Sequence, residues 1–196
     1  MTASPQTATR TATTLGILAG GRATRLAGRD KAWMERGGRP LVLALAARLA
    51  PEVDATLVSA NRDADRYLEQ GLHPVPDRRP DAGPLGGLDA LAATCATPWL
   101  LTVPVDVVNV NDCLLRSLRA AGGHGAWAED DDGPQPLVAL WPVEALRTGA
   151  AAALASGDFA VHALQARLGM VPVRFAGLRF GNLNTPADLA AAGIGP

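Results

Sequence analysis

The segment Trp99 to Val105, W-L-L-T-V-P-V, constrains the fold more than any other, because it is apolar almost without interruption and then stops at a carboxylate, Asp106. A strand with one wet face alternates apolar and polar residues. A continuous apolar run marks a strand buried on both faces, as in a parallel sheet covered by helices above and below. The chain around it agrees. Leu15 to Leu18 reads as a first strand, Pro40 to Leu49 as a helix with Pro at its first position and Leu41, Leu45 and Leu49 on one face, and Val53 to Ser59 as a second strand. A helix over Arg62 to Gln70, a short strand over Leu72 to Pro76, a helix continuing through Leu88 to Thr94 and a helix over Cys113 to Ala121 complete the pattern. Strand and helix alternate throughout these residues, which predicts an α/β fold: a three-layer, doubly wound, Rossmann-like and mostly parallel sheet with helices on both faces.

The pattern changes after residue 121. His124 to Ala128 and Leu137 to Trp141 read as two short strands joined across the acidic run Glu129 to Pro134, which is expected to be a solvated hairpin tip. Helices over Pro142 to Ser156 and Phe159 to Gly169 follow, then a strand over Val171 to Phe175. Thr185 with Pro186 and Asp188 makes a well-formed helix start, and Asn182 and Asn184 alternate so as to face one side of the segment before it. Residues 1–14, rich in Thr and Ala and without an apolar core, are expected to be a disordered tail, leaving residues 15–196 as a single domain of two halves, 15–121 and 122–196.

A net charge of −1 and only 4% aromatic residues leave no basic field of the kind nucleic-acid binders carry. Cys95 and Cys113 are too few and too unpatterned for a disulfide framework or zinc site, which points to a reduced, cytoplasmic chain. Residues 1–14 have no apolar core segment such as a secretory signal requires, and no run of about 18 apolar residues occurs, so no membrane span is expected.

Chemistry concentrates where the first strand breaks. Leu18-Ala19-Gly20-Gly21 opens onto a loop carrying Arg22, Arg25, Arg29 and Lys31, and Lys31 is the only lysine among 18 basic residues. Glycines let backbone approach a ligand and cations neutralise phosphate, so the loop reads as an anion site, with a long surface turn as the bland alternative. A lysine is a compact point charge on a flexible stem, not interchangeable with the planar arginine fork. The spacing matches neither the dinucleotide fingerprint nor a P-loop. A second glycine pair, Gly86 and Gly87, sits in the first turns of the helix begun at Pro84, costing roughly 1 kcal/mol per glycine against alanine. Close approach of a ligand is the expected compensation, and tight packing on the sheet is the alternative. Asn61, after the second strand, reads either as a base-edge contact or as an N-cap. Asp106 is expected to hold Mg²⁺ with water and substrate phosphates rather than cap the next helix, for which Asn109, Asn111 and Asp112 are better placed.

The opening pattern, L-A-G-G-x-x-x-R-x-x-G-x-D-K, resembles that of the MobA family of molybdenum cofactor guanylyltransferases. Four further segments occur in that family's order: D-x-x-x-D-x-G-P-L-G-G at Asp77 to Gly87, P-V-D at Pro104 to Asp106, P-L-V-A-L-W at Pro136 to Trp141, and N-L-N-T-P-A-D at Asn182 to Asp188. The first motif is shared by nucleotidyltransferases in general, whereas the set is specific and covers nearly all the chain after residue 14. Val105 stands where the family often has cysteine and Leu26-Ala27 where Met-Gly is frequent, and neither change removes a charged group.

The resemblance implies a nucleotide-diphospho-sugar transferase type of fold, with residues 15–121 binding nucleotide and 122–196 binding the acceptor. It implies transfer of GMP from GTP to the phosphate of molybdopterin, giving the guanine dinucleotide cofactor and pyrophosphate. Carried over by position, Leu18, Ala19, Gly20, Gly21, Lys31, Asn61, Asp77 and Asp106 bind GTP, Asp106 holds Mg²⁺, and Lys31, Arg25 and Asp106 are catalytic. Gly86, Gly87, Asn182 and Asn184 fall to the acceptor. Other molybdenum-cofactor biosynthesis proteins and apo-molybdoenzymes are the implied protein partners, with no nucleic acid and no membrane. Such a transfer needs charge neutralisation and positioning more than a covalent nucleophile, and no such Ser, Cys or His is evident. A related nucleotidyltransferase using CTP or another phosphate acceptor, and a non-catalytic GTP-binding protein, are the alternatives.

Overall fold

The computed structural model describes residues 11–20, 30–181, 183 and 186–194. Strand β1, Thr13–Leu18, leads to a 3₁₀ turn at Lys31–Trp33 and a small hairpin, β2 at Glu35–Arg36 and β3 at Arg39–Pro40. Helix α1, Leu41–Leu49, precedes β4 at Ala55–Ser59, α2 at Ala64–Glu69, β5 at His73–Val75, α3 at Gly83–Thr94 and β6 at Trp99–Pro104. After α4, Leu114–Ala120, come β7 at Ala126–Asp130, β8 at Gly133–Pro142, α5 at Val143–Ser156, α6 at Val161–Arg167, β9 at Val171–Arg174 and α7 at Pro186–Ala191. No helix among the described residues is long and apolar enough to cross a membrane.

Seven strands make one sheet in the order β5-β4-β1-β6-β8-β7-β9. Within it β5, β4, β1 and β6 are mutually parallel, β8 is antiparallel to both β6 and β7, and β9 is parallel to β7. Successive strand residues point to opposite faces, and the core divides accordingly. Leu15, Ile17, Val58, Leu101 and Val103 pack under Leu41, Leu45 and Leu49 of α1 and Leu114 and Leu118 of α4. On the other face Leu57, Leu100 and Trp141 meet Leu85, Leu88 and Leu91 of α3, Leu146 of α5 and Leu164 of α6. Each leucine buried in this way contributes about 2 kcal/mol. Thr102, the polar residue of the apolar β6, is satisfied inside the sheet: its hydroxyl donates to the Leu137 carbonyl at 2.8 Å and accepts from the Trp141 indole at 2.8 Å, pinning β8 alongside.

Two expectations are corrected by the packing. The first strand begins at Thr13 rather than Leu15, so the tail boundary lies too late in the chain. Thr13 and Thr14 are buried, and their polar groups find partners: the Thr13 amide donates to Asp54 Oδ2 at 2.7 Å, and the hydroxyls of Thr14 and Thr97 are 2.8 Å apart. The acidic run is not simply a solvated tip. β7 extends into it as far as Asp130, which is fully buried and accepts from the amides of Phe180 at 2.7 Å and Asp132 at 2.9 Å and from Gln135 Nε2 at 3.2 Å. Gly86 and Gly87 lie within α3 and are buried, and Gly87 packs closely on the sheet while also lining the cleft described below. A Cβ on Gly87 would lie 2.7 Å from Ser59 Oγ and 3.2 Å from Leu18 Cδ2, and one on Gly86 would lie 3.2 Å from Ala82 Cβ.

Candidate active site

The chain runs from β1 outward to β4 and β5, then returns to β6 on the other side of β1. Connections that leave in opposite directions open a crevice at the carboxyl ends of the strands, where ligands bind in open α/β sheets. Here Leu18, Ser59 and Pro104, the last residues of β1, β4 and β6, line a cleft of 680 Å³, a size within the range of small-ligand sites, about 300–1,000 Å³. Ala19, Gly20, Lys31, Asn61, Asp77, Gly87 and Asp106 also line it.

Each charged group is presented by identifiable local structure. Lys31 opens the 3₁₀ turn, which Asp30 caps by accepting from the Ala32 amide at 2.9 Å. Trp33, at the end of the turn, packs against Tyr67 at 4.8 Å between ring centroids, and the Arg66 guanidinium sits over its ring at 4.1 Å, tying the turn to α2. Burial, together with the nearby Asp30 and Asp63 charges, raises the Tyr67 pKa and keeps the phenol neutral. Across the cleft Asp106 stands two residues past the end of β6, and its Oδ2 lies 2.9 Å from Lys31 Nζ, with the two side chains 17% and 26% exposed. That exposure leaves both groups open to a ligand while shielding them more than a surface pair. Asp106 does not cap α4. The Asn111 side chain accepts from the Cys113 amide at 3.1 Å beside that helix start.

Asn61 resolves in an unanticipated way. It does not cap α2, which begins at Ala64 after Asp63, a residue held at φ 55°. Instead its Nδ2 donates to Asp77 Oδ2 at 2.9 Å and its Oδ1 accepts from the Asp77 amide at 2.7 Å. Ser59 Oγ approaches Asp77 Oδ1 at 3.4 Å. Thus Leu18, Ala19, Gly20, Lys31, Asn61, Asp77, Gly87 and Asp106 converge on one cleft, whereas Gly86 is turned into the packing below it. Gly21, Arg25, Asn182 and Asn184 lie outside the described residues. Sequence reasoning assigned no role to Ser59, Tyr67 or Asp30, which also line the cleft. Position at a strand's carboxyl end was the available signal for Ser59, and adjacency to Lys31 for Asp30.

A doubly wound sheet whose switch-point cleft carries glycines, a lysine and a carboxylate just past a strand end has the architecture of an α/β ligand-binding domain. Residues 15–170 match the MobA-like NTP transferase domain, and the chain belongs to that family. Relatives named molybdenum cofactor guanylyltransferase include those of Cereibacter sphaeroides, 42% identical over 90% of this chain and 93% of the relative, and of Burkholderia orbicola, 42% identical over 89% and 92%. The crystal structure of molybdopterin-guanine dinucleotide biosynthesis protein A from Archaeoglobus fulgidus superposes with a TM-score of 0.70 at 22% identity, over 92% of this chain and 96% of that one, and shares the fold.

Among the described residues no three His, Cys, Asp or Glu side chains cluster as a ready metal cage. Mg²⁺ does not require one, because it is held through one or two carboxylates with the remaining positions filled by water and substrate phosphate oxygens. Asp106, partly open on the cleft, meets that requirement.

Proposed function

We propose that this chain transfers GMP from GTP to the phosphate of molybdopterin, forming the guanine dinucleotide cofactor and releasing pyrophosphate. The Lys31–Asp106 pair lining a cleft of 680 Å³, in a chain 42% identical to a guanylyltransferase, is the observation that carries this reading. A phosphate oxygen of the acceptor attacks the α-phosphorus of GTP. The new P–O bond forms as the bond to the bridging oxygen of the β-phosphate breaks, and pyrophosphate departs with that electron pair. Backbone at Leu18, Ala19 and Gly20 approaches the nucleotide. Lys31, with Arg25, neutralises charge accumulating on the α-phosphate and on the departing pyrophosphate. Asp106 is the residue that holds Mg²⁺, which when bound supplies further charge neutralisation at phosphate oxygens. Asn182 and Asn184, with Gly87, are assigned to the acceptor side.

Pyrophosphate release from GTP, CTP and ATP, each with and without molybdopterin and with Mg²⁺ or chelator, tests the reading. Release from GTP that requires acceptor and metal is the expected result. Preference for CTP would make the chain a related nucleotidyltransferase, and GTP binding without pyrophosphate release would make it a non-catalytic nucleotide binder.

A further inference from the structure

The end of β4 carries a hydroxyl to which the proposed reaction assigns no task. Ser59 is 1% exposed, yet it lines the cleft and stands where three segments meet. A Cβ on Gly87 would lie 2.7 Å from its Oγ and one on Gly20 3.6 Å away, so both glycine-rich segments close over this hydroxyl. Its hydrogen-bond partner is Asp77 Oδ1, at 3.4 Å. The other carboxylate oxygen of Asp77 is held by Asn61 Nδ2 at 2.9 Å, and the Asp77 amide by Asn61 Oδ1 at 2.7 Å.

The hydrogen-bond inventory then determines what this network has left to offer. Asn61 has used one amide hydrogen and one of the two lone pairs of its Oδ1, so it keeps one N–H donor, and each Asp77 oxygen retains a free lone pair. The remaining pattern includes one N–H donor, from Asn61, beside the two carboxylate acceptors of Asp77. Guanine presents the complement on its pairing edge: the O6 acceptor, then the N1–H and N2–H₂ donors. Adenine and cytosine each place an amino donor where guanine has O6, opposite the Asn61 N–H.

We propose that Ser59 is a positioning residue for base selection: with Asn61 it orients the Asp77 carboxylate to accept from guanine N1–H and N2–H₂ while the spare Asn61 N–H faces O6. The inference rests on the reading of this cleft as a GTP site. Because the Ser59 contact is long and the Asn61 contacts are short, Asn61 clamps the carboxylate and Ser59 sets its tilt. Ser59 itself does not touch the base.

Inosine triphosphate, which lacks only the 2-amino group, separates these roles. With the full chain, kcat and KM for pyrophosphate release and binding by calorimetry are compared for GTP and inosine triphosphate in wild type and Ser59→Ala. The wild type is expected to favour GTP at least about tenfold, and Ser59→Ala to shrink that ratio about 3- to 10-fold, through KM rather than kcat, the scale of one hydrogen bond. Should Ser59→Ala yield too little folded protein, Ser59→Cys, which fills the space with a weaker donor, carries the same measurement and is expected to shrink the ratio less. An equal loss for both nucleotides, or an unchanged ratio, overturns the positioning role. Wild-type preference for CTP or ATP over GTP would instead sink the functional reading itself, so the two failures are distinguishable.

Discussion

Asp106 and Asp130 each stand near the carboxyl end of a strand, and the contrast between them shows what leaves one carboxylate open to a ligand and makes the other structural. Asp106 follows a central parallel strand, faces an open cleft and is paired with a lysine side chain. Asp130 ends a strand of the antiparallel hairpin, is fully buried, and is saturated by the Phe180 and Asp132 amides and the Gln135 side chain. Burial pushes its pKa up, but these hydrogen bonds outweigh that effect and hold it below the ordinary carboxylate range. Backbone amides cannot leave, so Asp130 is a structural staple that fastens the segment leading toward Asn182. A lysine on a flexible stem can exchange partners, so Asp106 remains available to a ligand. The same logic separates the halves of the sheet. Parallel strands β1, β4 and β6 end together in a crevice, whereas the β7–β8 hairpin closes on itself.

The contrast predicts opposite phenotypes. The largest effect belongs to Asp106→Ala: a loss of at least about 10³-fold in turnover, corresponding to several kcal/mol of charge stabilisation, with the denaturant midpoint little changed. Pyrophosphate release measured across a Mg²⁺ titration checks it, and unchanged Mg²⁺ dependence would count against Asp106 as the ligand. Lys31→Ala should follow, lowering kcat by on the order of 10²–10³-fold with the fold intact. Near-normal turnover in that variant would remove its assigned role. Asp130→Ala should do the reverse, destabilising the protein by about 3 kcal/mol because it strips the acceptor from buried N–H donors, as read by urea unfolding. If it lost activity without losing stability, the division into reactive and structural carboxylates would break.

The smallest effect is a slope. A carboxylate whose pKa is depressed by folding contributes stability that is present above its unfolded value, near 3.9, and lost as pH falls through the lower folded value. The wild-type urea midpoint should therefore fall as pH drops below about 4, and Asp130→Asn, which keeps the shape but does not titrate, should flatten that decline. Parallel curves for the two proteins would mean that Asp130 carries no such linkage.

Much of the site was legible because it sits at ends of elements that the sequence marks clearly. The apolar runs before Gly20 and Asp106 locate two strand termini, and the solitary Lys31 identifies itself against an arginine background. Less legible were features that depend on what lies across the sheet. Thr13 and Thr14 read as tail residues until Asp54 and Thr97 supply their partners. Asp130 looked solvated because its neighbours Glu129, Asp131 and Asp132 are acidic, and its principal partner, Phe180, is 50 positions away. For Gly87 the sequence left ligand approach and sheet packing as alternatives, and the fold shows that it packs on Ser59 and Leu18 while lining the cleft.

By itself, the sequence determined the class of fold, the family and the candidate site residues, because hydrophobic periodicity and residue chemistry are local properties. Only the tertiary structure decided which groups meet: Lys31 with Asp106 across 75 positions, and Asn61 with Asp77 across 16. Those pairings depend on strand order and on the direction in which each strand ends, and that arrangement is set by burying both faces of the sheet at once.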